Sequence, residues 1–345
     1  MLEKPNLQDE KIIACLRDEY SLNVVQVTFL PLGADRNTAV YRVVTDKATP
    51  YFVKLRQEVF DETTVVVPKL LHDQGVRQII APLSTRSRQL WASLDSFNLT
   101  LYPFVEGHSG FEVDLSDRHW VDFGRALKGI HTARVPSALT GRIQQEIYSA
   151  QWREIVKRFQ GRVEDTTFAD PVAAQLAAFL KVRQHEISDL VRRAERLGCV
   201  LQTRSLKFVL CHSDIHAGNI LIDANDVLYI VDWDNPILAP KERDLMFIGG
   251  GQGFAGHTAQ EEETLFYQGY GQTQLDPTAL AYYRYERIIQ DIAAYCEQIL
   301  LTDEGGEDRQ EGLQQLISQF LPNDVVEMAY KSEENLPPEL KTLRL

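Results

Sequence analysis

Positive charge is scarce in this sequence. Its 345 residues include 36 lysines and arginines against 49 aspartates and glutamates, a formal net charge of −13. Nucleic-acid binding draws on an excess of basic side chains that displace counterions, and no such excess exists. An acidic surplus suits a cationic ligand, although acidity alone also serves solubility. Long apolar runs are missing as well: no uninterrupted stretch approaches the roughly 18 residues of a membrane-spanning helix. The four cysteines, Cys15, Cys199, Cys211 and Cys296, are scattered without metal-ligand spacing, so neither a zinc site nor a disulfide framework is expected. Met1 to Lys11 lack the apolar core of an export signal. Together these absences lead to the expectation of a cytoplasmic protein that engages neither nucleic acid nor membrane. There is no internal repeat and no low-complexity tract. The one glycine-rich run, Gly249 to Gly253, has no parallel strand before it and reads as a linker rather than a phosphate loop.

What is present centres on Val209 to Asp234, VLCHSDIHAGNILIDANDVLYIVDWD. Two β-prone runs, Ile220–Ile222 and Val227–Val231, flank the turn-forming tetrad from Asp223 to Asp226. A polar loop, His212 to Asn219, precedes them and Asp232 follows them. A hairpin would bring Asp232 back toward Asp214 and Asn219, aiming two carboxylates and an amide oxygen at one point. Phosphoryl transfer to an alcohol calls for that set: one carboxylate takes the hydroxyl hydrogen, while an amide oxygen and a second carboxylate hold Mg²⁺. The order H-x-D-x-x-x-x-N, hairpin, Asp is the kinase order. Asp214 is therefore the candidate base, with Asn219 and Asp232 the candidate metal ligands.

Upstream, Asp9 to Tyr20 has helical periodicity, and strands are expected over Val24–Leu30, Val40–Val44 and Tyr51–Leu55. The loop from Pro31 to Thr38 lies between the first two strands. Gly33, Asp35 and Asn37 in it are candidates to lay backbone over nucleotide phosphates. Lys54, alone inside an apolar strand, is the candidate phosphate-gripping lysine. Its expected helical partner is Glu62, with Glu58 the alternative, although Pro68 suggests a helix starting later. Further strands are expected over Ile79–Leu83, Gln89–Leu94 and Phe97–Tyr102. Pro103, Phe104 and Val105 begin a short Pro/Gly-bounded segment that reads as a hinge binding adenine through its backbone.

The chain is too long for one compact core. The expected division is a nucleotide-binding lobe over residues 1–102, a hinge over 103–107 and a catalytic and substrate-binding lobe over 108–345. Beyond the hinge the pattern is mainly helical. Helices start at Ser116, Gln151, Asp170-Pro171, Thr258 (a capping box with Glu261) and Asp276-Pro277. Asp244 reads as structural, by capping or by bonding the catalytic loop. The tail from Ser332 is expected to fray.

The loop from His212 to Asn219 with Ile230-Val231-Asp232-Trp233-Asp234 resembles the aminoglycoside phosphotransferase and choline-kinase-like group. Tyr148 to Val156, Ala239 to Gly251 and Tyr282 to Ile288 resemble, within it, the spectinomycin phosphotransferases of the nine-position class. The resemblance runs over most of the chain. It implies an α+β bilobal protein-kinase-like fold, with a small antiparallel-sheet N-lobe and a larger, mainly helical C-lobe. It further implies ATP- and Mg²⁺-dependent transfer of the γ-phosphoryl group to a hydroxyl of an aminocyclitol, spectinomycin. Asp214 then acts as base, Asn219 and Asp232 as metal ligands, and Lys54 on the α/β phosphates. Substrate contacts do not carry over by motif; Asp234, Glu242, Glu286 and Asp291 are the acidic candidates. A same-fold kinase of a metabolic alcohol, of choline, homoserine or sugar type, is the alternative, and a non-catalytic nucleotide-binding protein a third reading.

Overall fold

The computed structural model describes residues 4–33, 37–57, 60–250, 256–302 and 306–341. Helix α1 (Asp9–Tyr20) comes first, burying Ile12, Cys15 and Leu16 and ending at Ser21 in a left-handed turn. Strands β1 (Val24–Leu30), β2 (Thr38–Thr45) and β3 (Pro50–Arg56) follow, then α2 (Thr63–Asp73), β4 (Ala92–Leu94) and β5 (Phe97–Pro103). The strands form one sheet in the order β1-β2-β3-β5-β4, antiparallel throughout. Period-2 alternation decides which way β3 faces. Val53 and Leu55 are fully buried with Tyr41, Leu99, Ile12 and Leu16. Lys54 and Arg56, two residues apart, therefore share the other face of this central strand.

Three local expectations differ from the structure. Pro68 lies inside α2 rather than at its start, and Glu62 is the N-cap residue. The helix tolerates the missing N–H because Val65, Val67 and Leu71 are buried on its inner side. Ile79–Leu83 is no strand: Pro82 has no N–H to donate, and the segment's contacts are a bridge from Ile79 to Ile230, a turn bond from Ile79 N–H to Val76 O, His72 Nδ1 on Ile79 O (2.9 Å) and a bond from Leu83 N–H to Leu101 O, 2.7 Å. Only Ala92–Leu94 of the next expected strand pairs, because Gln89 is drawn into a turn with Thr85.

The remainder is mainly helical. It runs β6 (Gly107–Ser109), α3 (Asp117–Thr132), α4 (Ser137–Thr140), β7 (Gln144–Gln145), α5 (Gln151–Asp165), α6 (Pro171–Val182) and α7 (Gln184–Gln202). Then come β8 (Val209–Cys211), β9 (Ile220–Asp223), β10 (Leu228–Ile230), β11 (Ile237–Ala239), α8 (Glu242–Leu245), α9 (Ala259–Tyr270), α10 (Pro277–Leu300), α11 (Gly306–Ser318), α12 (Val325–Ser332) and α13 (Pro338–Lys341). The expected side-chain caps form at Ser116, Asp170, Thr258 and Asp276. The helix that starts after Asp170 ends at Val182, and Arg183 separates α6 from α7. Residues 332–341 pack onto the rest, with Leu336 and Leu340 buried and Glu333 paired with Arg193 and Arg196.

Helix α10 is the axis of this part, packing on α5, α7 and α12 through Ala281, Ile288, Ile289, Ile292 and Cys296. The hairpin β9–β10 packs on α3 through β10 and has β6 as its third strand. Gly107 is required there: a Cβ would stand 2.2 Å from Ile222 O. Among the described residues, no helix is long and apolar enough to cross a membrane.

Candidate active site

The loop between β8 and β9 is shaped by one buried carboxylate. Asp244, fully buried in α8, accepts the backbone N–H groups of His212 (3.0 Å) and Ser213 (2.7 Å) and the Nε2 of His131 (3.0 Å). Burial raises its pKa, but His131 and the loop N–H groups outweigh that and hold the carboxyl below its ordinary value. Ser213 sits at φ 74°, a costly backbone for a residue with a Cβ. It is held there by Asp244 and by its own hydroxyl donating to Asn235 O, 2.8 Å. That turn aims the next side chain, Asp214.

The hairpin register then brings the other groups in. Ile230 pairs with Ile220, so Val231 N–H donates to Asn219 O at 2.9 Å, and Val231 O meets His212 Nε2 at 2.9 Å. Asp232, next in the chain at φ 61°, thereby stands beside both ends of the loop. The Asn219 amide nitrogen donates to Asp214 O, 2.7 Å, leaving its side-chain oxygen as a ligand for something else.

Lys54 reaches across from β3. Its ammonium lies 3.0 Å from Asp232 Oδ1 and 2.7 Å from Asp234 Oδ1, and Arg56 also pairs with Asp234. Burial alone would lower the lysine pKa, but Asp232 and Asp234 outweigh it and raise it. Burial likewise lifts the Asp232 carboxyl, and Lys54 more than reverses that.

Asp214 is bound on one oxygen by Arg287, from the middle of α10. Its second oxygen is 3.7 Å from His216 Nε2. Burial would raise its pKa, yet Arg287, His216 and His212 pull it down to about 2, so the carboxylate is ionised at neutral pH. His216 accepts Gly218 N–H on Nδ1 (3.0 Å), and burial lowers its pKa despite Asp214.

Residues 28–283 match the APH phosphotransferase enzyme family. The chain belongs to that family. Among solved structures it is similar to spectinomycin phosphotransferase APH(9)-Ia in complex with ADP and spectinomycin, at 38% identity and a TM-score of 0.88, over 96% of this chain and all of that one. The AMP-bound complex of the same enzyme matches at 37% identity and a TM-score of 0.83, over 94% of this chain and 98% of the other. Protein StrN of Streptomyces griseus is 24% identical over 223 residues, 63% of this chain and 67% of that protein. The fold is the α+β, kinase-like architecture of these phosphotransferases.

Within this phosphotransferase several expected contacts are differently made. Glu62 pairs with Arg142, not Lys54; it faces outward at the end of α2, while Lys54 is taken by the two aspartates. Glu242 is buried, bonded to Lys241 (2.6 Å) and to Asp276 N–H (2.9 Å). Glu286 is buried against Arg153 of α5. Burial pushes its carboxyl up to about 7, with Arg153 opposing. Asp234 faces Lys54 and Arg56. Asp291 alone of the four acidic candidates is joined to Asp214, through Arg287 at 3.0 Å. Gly33 has the φ of 91° that glycine supplies freely, Asn37 O accepts Gln57 N–H (2.9 Å), and Asp35 lies outside the described residues. Pro103 closes β5 opposite Tyr51, Phe104 lies under Arg42 at 5.2 Å, and Val105 is half-buried.

Two residues of the site carry no signal in the motif. Arg56 shows only as a second cation two places after Lys54, and Arg287 is one polar residue among many on α10. The donor set fits a hard divalent cation: the Asn219 amide oxygen and the Asp232 carboxylate are oxygen ligands, and Asp232 already takes a cation, the Lys54 ammonium.

Proposed function

We propose that this phosphotransferase moves the γ-phosphoryl group of ATP to a hydroxyl of spectinomycin, with Mg²⁺, and thereby confers resistance to that antibiotic in the cytoplasm. One observation carries the reading. An ionised, anchored Asp214 stands beside an amide oxygen and a carboxylate suited to a metal, in a chain 38% identical over nearly its whole length to an enzyme solved with ADP and spectinomycin. In the proposed reaction the acceptor oxygen bonds to the γ-phosphorus. The bond from that phosphorus to the β,γ-bridging oxygen breaks, ADP leaves with the electron pair, and the hydroxyl proton passes to Asp214. An Asp with a pKa of about 2 is a weak base, which suits a loose transition state in which the proton departs late. Asn219 and Asp232 would hold Mg²⁺, which supplies charge neutralisation at the β and γ phosphates. Lys54 and Arg56 grip the phosphates; the loop around Gly33 and Asn37 covers them; Pro103 to Val105 border the adenine, dividing an N-lobe over 1–102 from a C-lobe beginning at 108. Asp291, joined to Asp214 through Arg287, is the acidic candidate on the acceptor side.

A coupled ADP-release screen over aminocyclitols, aminoglycosides and small metabolic alcohols tests the reading. Spectinomycin is expected to give the highest kcat/KM; a faster choline, homoserine or sugar would move the enzyme to metabolism. ATP binding without turnover on any alcohol would refute phosphoryl transfer. Asp214→Ala is expected to keep ADP affinity and lose ~10²–10⁴-fold in kcat; turnover within tenfold of the parent would remove Asp214 from the role of base.

A further inference from the structure

Arg287 is held far more tightly than a surface arginine at the edge of a cleft. Its Nη1 binds Asp214 Oδ1, and its Nε binds Asp291 Oδ1 at 3.0 Å, one turn along the same helix. Asp291 is itself fixed from behind by Gln319 Nε2, 2.9 Å. The guanidinium lies over the Phe247 ring at 5.5 Å, and Arg284 pins the backbone on both sides of that ring, donating to Met246 O (3.2 Å) and Ile248 O (3.1 Å). A planar cation fixed by two carboxylates and an aromatic face has lost its rotamer freedom already.

The consequence falls on Asp214. A free aspartate turns about its terminal torsion and offers either oxygen. Here Oδ1 is engaged by Arg287. Oδ2 has His216 Nε2 at 3.7 Å, beyond hydrogen-bond reach, and is the oxygen left for a third party. Resting on the transfer reading above, we propose that Arg287 is a positioning residue for phosphoryl transfer. It fixes the Asp214 carboxylate so that Oδ2 alone meets the acceptor hydroxyl. A strut that merely ties α10 to the loop would show the same contacts but not the same coupling, and the experiment separates the two.

Arg287→Ala and Arg287→Lys are made in the full chain, each alone and combined with Asp214→Asn. ADP release is measured with spectinomycin and with water as acceptor, and ADP affinity by calorimetry. Arg287→Ala is expected to lose ~10–10²-fold in kcat, the scale of a reacting group displaced by about 1 Å, with ADP affinity and KM for ATP within twofold. Arg287→Lys recovers part of the loss. Tens of millimolar guanidinium ion raises the Ala variant several-fold without raising the parent. In the Asp214→Asn background the same change costs less than twofold, because there is no carboxylate left to orient. Equal losses in both backgrounds, a kcat within twofold of the parent, or loss of ADP binding would each overturn the proposal. A parent enzyme inactive on spectinomycin sinks the acceptor assignment instead; the Arg287 cycle is then read on release of ADP to water, which uses the same carboxylate.

Discussion

Asp244→Asn keeps the shape of the side chain that shapes the catalytic loop and removes one of its acceptors. The native carboxylate serves three donors: Oδ1 takes Ser213 N–H, and Oδ2 takes His212 N–H and His131 Nε2. An asparagine can direct its carbonyl at the two-donor side only by turning its NH₂ against Ser213 N–H. One bond is lost and a buried donor is left without a partner, at a cost of about 1–3 kcal/mol. Ser213 is the residue least able to bear this, since its left-handed backbone (φ 74°) is itself worth about 1–3 kcal/mol of strain. To the extent the loop relaxes to relieve the strain, the cost moves from stability to rate, because Asp214 is the next residue. Urea unfolding followed by tryptophan fluorescence should report the loss; Trp233 sits edge-on to His212 at 4.6 Å. Steady-state ADP release should fall at least tenfold with KM for ATP unchanged. The pH dependence has a sign. Asp244 has a folded pKa below its ordinary value of 3.8, so its stabilisation is complete above that value and lost as pH falls through the folded pKa. The gap between parent and variant should thus be flat from pH 7 to 5 and close only below pH 4. A variant within about 0.5 kcal/mol of the parent and within twofold in turnover would refute the account.

Lys54→Met is expected to raise KM for ATP by at least tenfold, while Glu62→Ala leaves it within twofold, because Glu62 is paired with Arg142 at an exposed position where such pairs contribute about 0–1 kcal/mol; steady-state kinetics in ATP check both, and equal effects would restore the lysine–glutamate pair. Arg153→Met is expected to destabilise the chain by about 1–3 kcal/mol, because the buried Glu286 loses its partner and takes up a proton at neutral pH. Glu286→Gln should cost less and leave KM for the acceptor unchanged; an altered acceptor KM in the Gln variant with normal stability would return Glu286 to the substrate site.

The parts of the molecule that were legible in the sequence are those fixed by neighbours along the chain. Asp214, Asn219 and Asp232 are separated by a tight loop and a two-strand hairpin, so spacing alone constrains where they fall. The capping residues Ser116, Asp170, Thr258 and Asp276 act within three residues of themselves. The choice of distant partners had no such local signature. Glu286 and Arg287 are adjacent and equally polar, yet about 100° of helical rotation sends one into the packing of α5 and the other to the catalytic loop. Only the way α10 lies against its neighbours decides which is which. Glu242 shows the same limit: it follows Lys241 in a charged run and is nonetheless buried.

Lys54 illustrates how such a partner is selected. Glu62 is exposed and Arg142 is within its reach, whereas Asp232 and Asp234 stand at 3.0 and 2.7 Å from the ammonium in a half-buried setting where attraction is less screened. The aspartates win on both distance and dielectric. The resulting set, Lys54 and Arg56 against Asp232 and Asp234, sums to zero charge. Two lysine-like cations beside a nucleotide are usually read as a net attraction for phosphate, but here each is already answered by a carboxylate. On the proposed reading, a polyphosphate entering this cluster gains little unless Asp232 is given another cation to face, which is an electrostatic argument for a divalent ion arriving together with the nucleotide.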